Sequence, residues 1–301
     1  MAATRRLSEL ITATLSKVQL PTGPVVVALS GGADSAALAL LVREAGHVLS
    51  ALHIDHQLPA SPMLADAAAA VAAQLDIAID VESVTIGDGP SLEERARDAR
   101  YQVFGRSRLP VLTAHTRDDS VETMLINLIR GTGVTGLTGI PRFRPPRVHR
   151  PMLDVSRDET REIAVLAGLG FVDDPMNEDL SLTRNRVRLR LLPLMRELNP
   201  QVDTALARAS AALERDSDHL EAVASRLAAD ASDVAVPMSV IATIPRPLAD
   251  RLLRRLLERN GIGPTADRIE RMWSVATGAS ERQDLADGRS VIRHGALLVV
   301  E

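Results

Sequence analysis

The chain has 301 residues, is 46% hydrophobic and 25% charged, and carries a net charge of −4, the profile of a globular protein of about two domains. No apolar run reaches membrane-spanning length, and the opening Met1-Ala-Ala-Thr-Arg-Arg lacks the apolar centre of a signal peptide, so a cytoplasmic protein with no membrane partner is expected. Cysteine is absent, which excludes disulfides, thiolate metal ligands and cysteine nucleophiles.

Residues 5–18 read as an amphipathic helix with Leu7, Leu10, Ile11 and Leu15 on one side. A strand follows at 25–29. It breaks into Ser30-Gly31-Gly32-Ala33-Asp34-Ser35 before a helix at 35–45. A strand, a glycine turn and a helix start gather free backbone N–H groups at one point, a site for an anion such as phosphate. The glycines let the backbone approach it closely, and Ser30 and Ser35 add hydroxyl donors. Asp34 is the odd member, because a carboxylate repels phosphates unless a metal or a proton intervenes. It points to chemistry on the phosphate, with Mg²⁺. The loop has no Walker lysine, the only lysine being Lys17, and no G-x-G-x-x-G pattern.

Strands at 48–54, 77–85 and 110–114 then alternate with helices at 62–75, 91–106 and 117–130, the second opened by a capping box of Ser91 and Glu94. This alternation predicts an α/β fold with a doubly wound parallel sheet. Such sheets bind ligands beyond the carboxyl ends of the strands near a topological switch point, where the loops at residues 30 and 115 both lie. The second loop opens His115-Thr-Arg-Asp118-Asp119-Ser-Val-Glu122-Thr123. Asp119 and Glu122, three apart, share a helix face; beside a nucleotide they would hold a cationic substrate or a metal.

A glycine-rich stretch at 131–139 and a basic, proline-rich one at 141–150 predict a flexible loop that orders on a partner. Helices at 157–168 and 184–198 follow, then a helical connector at 201–230. Residues 236–301 read as a small α+β domain with helices at 246–259 and 265–276 and strands at 283–286, 290–293 and 296–300. The predicted division is 1–212 and 213–301. Arginines cluster at 142, 144, 147 and 150, at 184, 186, 188 and 190, and at 246, 251, 254, 255 and 259. Basic patches on an acidic body fit local RNA contact. At 2% aromatic content, stacking on Phe or Tyr cannot be the main mode.

The Ser30–Ser35 loop resembles the SGGxDS signature of the PP-loop ATP pyrophosphatases. Further motifs in order narrow the resemblance to the tRNA(Ile)-lysidine synthetase branch: His53-Ile-Asp55-His56, Ala96-Arg97 with Arg100-Tyr101, the His115–Thr123 block, Arg130-Gly131, Arg150-Pro151-Met-Leu153 and Asn185-Arg186-Val-Arg188. The resemblance implies a C–N ligase. Cytidine 34 of a tRNA(Ile) with a CAU anticodon attacks the α-phosphate of ATP, pyrophosphate leaves, and the ε-amine of free L-lysine displaces AMP to give lysidine. It implies that Ser30, Gly31, Gly32, Ala33, Asp34, Ser35 and His53 bind ATP and that Asp34 holds Mg²⁺. It also implies that Asp119, Glu122 and His115 bind lysine, and that Arg186 or Arg188 act with Asp34 in catalysis. We expect Arg142, Arg144, Arg147, Arg254 and Arg255 to contact tRNA. The oligomeric state stays open, a homodimer included. Two other readings compete: a PP-loop synthetase that adenylates a small metabolite and takes ammonia, and a nucleotide-binding module without catalysis.

Overall fold

The computed structural model describes residues 2–87, 92–227 and 235–301; Ser91, the predicted cap of a helix, lies outside them. The chain forms two compact units, Met1–Ala211 and Ala212–Glu301. In the first, the elements run α1 (Ala2–Leu15), β1 (Val25–Ala28), α2 (Ala33–Glu44), β2 (Leu49–Asp55), α3 (Ser61–Leu75), β3 (Ile79–Ser83), α4 (Leu92–Arg106), β4 (Val111–Leu112), α5 (Arg117–Ile129), α6 (Val134–Leu137), β5 (Phe143–Arg144), β6 (Val148–His149) and α7 (Arg157–Leu166). Then come α8 (Thr183–Arg186), a π-helical turn (Val187–Leu191), α9 (Leu192–Leu198) and the long α10 (Val202–Leu227), which carries the chain into the second unit.

The strand order is β3-β2-β1-β4-β6-β5. β1 pairs in parallel with both β2 and β4, in register Val27 with Ala51 and with Leu112. The chain winds outward from β1 in both directions, so the switch point lies between the carboxyl ends of β1 and β4. Successive β1 residues serve opposite faces, as strand geometry requires. Val25, Val27 and Leu29 pack with α2, α3 and α7, while Val26 and Ala28 pack with Phe104 of α4 and Val148. Both faces are covered, which is why the strands read as continuous apolar runs.

The sheet differs from the prediction at its edge. Residues 141–150 form no free loop: β5 and β6 make an antiparallel hairpin, and β6 adds in parallel to β4. Val148 and Arg150 are buried, and Phe143 stacks on His149 at 4.8 Å. Proline and arginine hid this hairpin, because its strands are too short to show alternation. The helix predicted at 184–198 is interrupted by the π turn, a feature that marks functional sites.

In the second unit β7 (Ala235–Pro237) and α11 (Met238–Thr243), neither expected, precede α12 (Arg246–Arg259), α13 (Ala266–Ala276) and the strands β8 (Arg282–Ala286), β9 (Arg289–His294) and β10 (Leu297–Val300). The sheet is antiparallel, in order β7-β10-β9-β8. Leu248, Leu252, Leu253, Leu256 and Leu257 of α12 recur at helical spacing. They bury one stripe against Ile269, Met272 and Val275 of α13 and Val291 and Leu298 of the sheet. No helix among the described residues is long and apolar enough to cross a membrane.

Candidate active site

A cleft of about 680 Å³ opens at the switch point, lined by the glycine loop, the ends of β2 and β4, α4 and the start of α7. Gly31 has φ +89°, a conformation that disfavours any side chain, and a Cβ there would collide with the Leu64 carbonyl. The turn is held from within. The Ser35 hydroxyl donates to the Gly32 carbonyl at 2.9 Å and accepts from the Ser30 amide at 3.1 Å. Gly32 caps α2 in extended conformation with no side-chain hydrogen bond, leaving the first-turn N–H groups to a ligand. Ser30, Gly32, Ala33, Asp34, Ser35 and His53 all line the cleft. His53 is buried, and its Nδ1 lies 2.8 Å from the Leu29 carbonyl. A carbonyl only accepts, so Nδ1 carries a proton and donates to it.

Three helix starts converge here. Asp34 opens α2, Asp119 opens α5 and Arg157 opens α7. The α5 and α7 starts are fixed by capping boxes, Thr116 with Asp119 and Ser156 with Glu159. The Arg157 amide donates to Asp118 at 2.9 Å, which ties the two helices together. The Arg157 guanidinium donates to Asp119 Oδ1 at 2.8 Å and Glu122 Oε1 at 2.9 Å, and its Nε lies 3.8 Å from Asp34 Oδ2. Arg157 therefore stands between the two carboxylates expected to receive a substrate cation. Glu122 is only 1% exposed and does not line the cleft, whereas Asp119 does.

The electrostatics follow. Burial pushes the Asp34 carboxyl up to about 6; the Thr160 hydroxyl, which donates to it, and Arg157 oppose that shift, and Asp119 adds to it. Burial also raises Glu122, with Arg157 opposing. At Asp119 burial is outweighed by Arg157 and the Thr116 amide, so this carboxyl sits below its ordinary value. Burial lowers His115 to about 3, leaving it neutral, with Nδ1 3.0 Å from the Thr113 hydroxyl.

The predicted arginines divide. Arg188 lines the cleft from the π turn, but Arg186 does not; it is exposed and donates to Thr183. Residues two apart on a helix point to different sides, which is why only one of the two borders the cleft. Arg142 donates from Nη2 to both oxygens of Asp154, at 2.8 and 2.7 Å, and Arg255 pairs with Glu221, so both are engaged within their own units. Arg147 is exposed, and Arg144 stacks on Tyr101. The sequence reading missed Arg157 and Thr160 as site residues. The only local signal was the Ser156–Glu159 capping box, which marks a helix start and says nothing of what it faces.

A model of the PP-loop domain matches residues 2–195. The chain is 39% identical over 260 residues to a tRNA(Ile)-lysidine synthase of Thermus thermophilus, covering 82% of this chain and 51% of that protein. It is 43% identical over 189 residues to one of Nocardia farcinica, covering 61% and 59%. It thus spans about half the length of the curated relatives it matches. Among solved structures, the U34-tRNA thiolase NcsA of Methanococcus maripaludis, with its [4Fe-4S] cluster, superposes with a TM-score of 0.57 over 70% of this chain and 79% of that one. At 16% identity this is a likeness of fold alone. The glycine loop at the switch point lies inside the matched stretch, and with that match the chain belongs to the PP-loop domain family.

Proposed function

We propose that the protein uses ATP and Mg²⁺ to join free L-lysine to cytidine 34 of a tRNA(Ile) with a CAU anticodon, releasing AMP and pyrophosphate. The observation that carries this reading is the Ser30–Ser35 loop at the switch point, in a chain 39% identical to a relative bearing that name over 82% of its own length. ATP, tRNA and free lysine meet in the cytoplasm, where we place the reaction.

The Ser30–Ser35 turn and the start of α2 would hold the phosphates, with His53 toward the base. Among the described residues no three His, Asp or Glu side chains stand together to hold a metal. Mg²⁺ ordinarily binds through one or two carboxylates and substrate phosphates. Asp34 fits that pattern: it is a carboxylate in the phosphate turn that lines the cleft, and the Arg157 guanidinium approaches it no closer than 3.8 Å. When bound, Mg²⁺ would neutralise charge on the phosphates. Arg188 would stabilise the charge that grows on the α-phosphate as cytidine O2 attacks.

Asp119 and Glu122 would serve the amine. A carboxylate beside an ammonium raises its pKa, yet the attacking ε-amine must be neutral. One acid therefore grips the α-ammonium and another accepts a proton at the ε-end. Asp119, held ionised, suits the grip; Asp34, raised and lining the cleft, suits the proton, while the buried Glu122 would act through Arg157.

The test is incorporation of radiolabelled lysine into a tRNA(Ile) transcript bearing CAU, beside initiator tRNA. Label in the isoleucine transcript alone is expected. Pyrophosphate release with a small metabolite and no tRNA would replace this reading with the ammonia-type synthetase.

A further inference from the structure

Tyr101 of α4 is surrounded by arginine. The Arg144 guanidinium lies 3.8 Å from its ring centroid, with Arg97 at 5.3 Å and Arg150 at 6.0 Å. Arg150 is 2% exposed; it donates to the Tyr101 hydroxyl at 2.7 Å and to the Pro141 carbonyl at 2.5 Å, and its buried Nε has no partner. Among the described residues, none of these three arginines has a carboxylate within ion-pair distance. Elsewhere in the same unit Arg142, Arg157, Arg161 and Arg196 all have one.

Like charges crowded against one ring oppose one another, and the effect is visible on the residues themselves. Burial, reinforced by Arg97 and Arg144, holds Arg150 below its ordinary value against the pull of Tyr101. The Tyr101 hydroxyl is lowered too, because the arginines outweigh burial. Cation–π contact with Tyr101 and the Arg150 hydrogen bonds hold the cluster together, and an anion would offset the repulsion that remains. Planar guanidinium groups present paired donors that match phosphate oxygens. Tyr101 lines the cleft, as does Arg100, whereas Arg97, Arg144 and Arg150 do not; the ring joins the arginine cluster to the wall that faces the glycine loop.

We propose that Arg97 and Arg144, backed by Tyr101 and the buried Arg150, form a phosphate seat beside the cleft that takes a backbone phosphate of the RNA strand presented to the glycine loop. This rests on the RNA reading above. ATP offers the same chemistry, but the glycine loop already supplies donors for its phosphates. Arg144 and Arg150 come instead from the β5–β6 hairpin at the sheet edge, where a strand would enter.

The test uses the full chain with Arg97→Gln, Arg144→Gln and Arg144→Lys, leaving the buried Arg150 intact. Two probes are titrated separately, an anticodon stem-loop RNA bearing CAU and ATP. Expected is weaker RNA binding for both glutamine variants, with the salt dependence reduced by about one unit of slope each. Partial rescue by lysine, unchanged ATP affinity and an unchanged Tm for Arg97→Gln are also expected. Unchanged RNA affinity and slope would overturn the proposal, as would loss of ATP affinity alone. A fall in Tm with RNA binding intact would make the cluster a structural staple and equally overturn it. Lysine incorporation by the unaltered chain, run beside these, tests the parent reading independently.

Discussion

Around Arg157, one guanidinium serves Asp119 and Glu122 at 2.8 and 2.9 Å and comes within 3.8 Å of Asp34. Around Tyr101, three guanidiniums crowd one ring and, among the described residues, have no carboxylate in ion-pair distance. Both clusters belong to the first unit, and pairing them with each other would satisfy both. The fold keeps them apart. Acid in excess at the helix starts suits a cation, and base in excess on α4 and the hairpin suits a polyanion. The proposed joining of an amine to a nucleic acid would use both.

The acidic cluster breaks most severely at Arg157. Replacing it with Ala takes the guanidinium from Asp119 and leaves Glu122 only Arg184, at 3.9 Å. Removing one partner of a buried pair costs about 3–5 kcal/mol, which urea denaturation will read as a lower midpoint. A change below about 1 kcal/mol would mean that the pair behaves as an exposed one. Asp34→Ala should fold, because its contact with Arg157 is long, at 3.8 Å, and should lower tRNA-dependent pyrophosphate release by about 10²–10³-fold. Activity within about threefold of the parent, far short of that range, would remove Asp34 from the chemistry.

Much of this was legible in the sequence. The four leading strands, the glycine turn and the α5 acids announced themselves, because a parallel sheet buried on both faces writes its strands as apolar runs, and a phosphate loop needs Gly31 for its backbone. What stayed hidden depends on distant partners. Arg157 lies 35 residues from Glu122 in the chain, and nothing in its neighbours marks it as anything but a helix start. The partners of Arg142 and Arg255, Asp154 and Glu221, were hidden for the same reason, because only the fold brings them together. The β5–β6 hairpin escaped because pairs of residues carry no period.

The pH response sharpens the comparison next. The Asp34 carboxyl titrates near 6 in the folded chain against an ordinary 3.8. Between these values the folded state holds more protons than the unfolded one, so this group's contribution to stability falls as pH rises through about 6. Asp34→Asn should therefore stabilise the chain at pH 7 by about 1–3 kcal/mol, and the gain should vanish below about pH 4. Stability measured in urea at both pH values checks the sign; a variant less stable at pH 7 would show that the ionised carboxylate holds the turn. Activity that needs ionised Asp34 should rise across the same interval.

The smallest effects separate paired from unpaired arginines in the second unit. Arg255 donates to Glu221 at 2.6 Å and to Ser225, whereas neighbouring Arg254 makes no such bond among the described residues. Both were expected to contact RNA. Arg255→Gln should lower stability by less than about 1 kcal/mol, the range of a half-exposed pair, and leave RNA binding unchanged. Arg254→Gln should leave stability unchanged and reduce the salt dependence of RNA binding by about one unit of slope. The reverse pattern would mean that the Glu221 pair opens for RNA. It would also mean that, unlike the cluster at Tyr101, this patch does not declare its free arginines through the missing carboxylate.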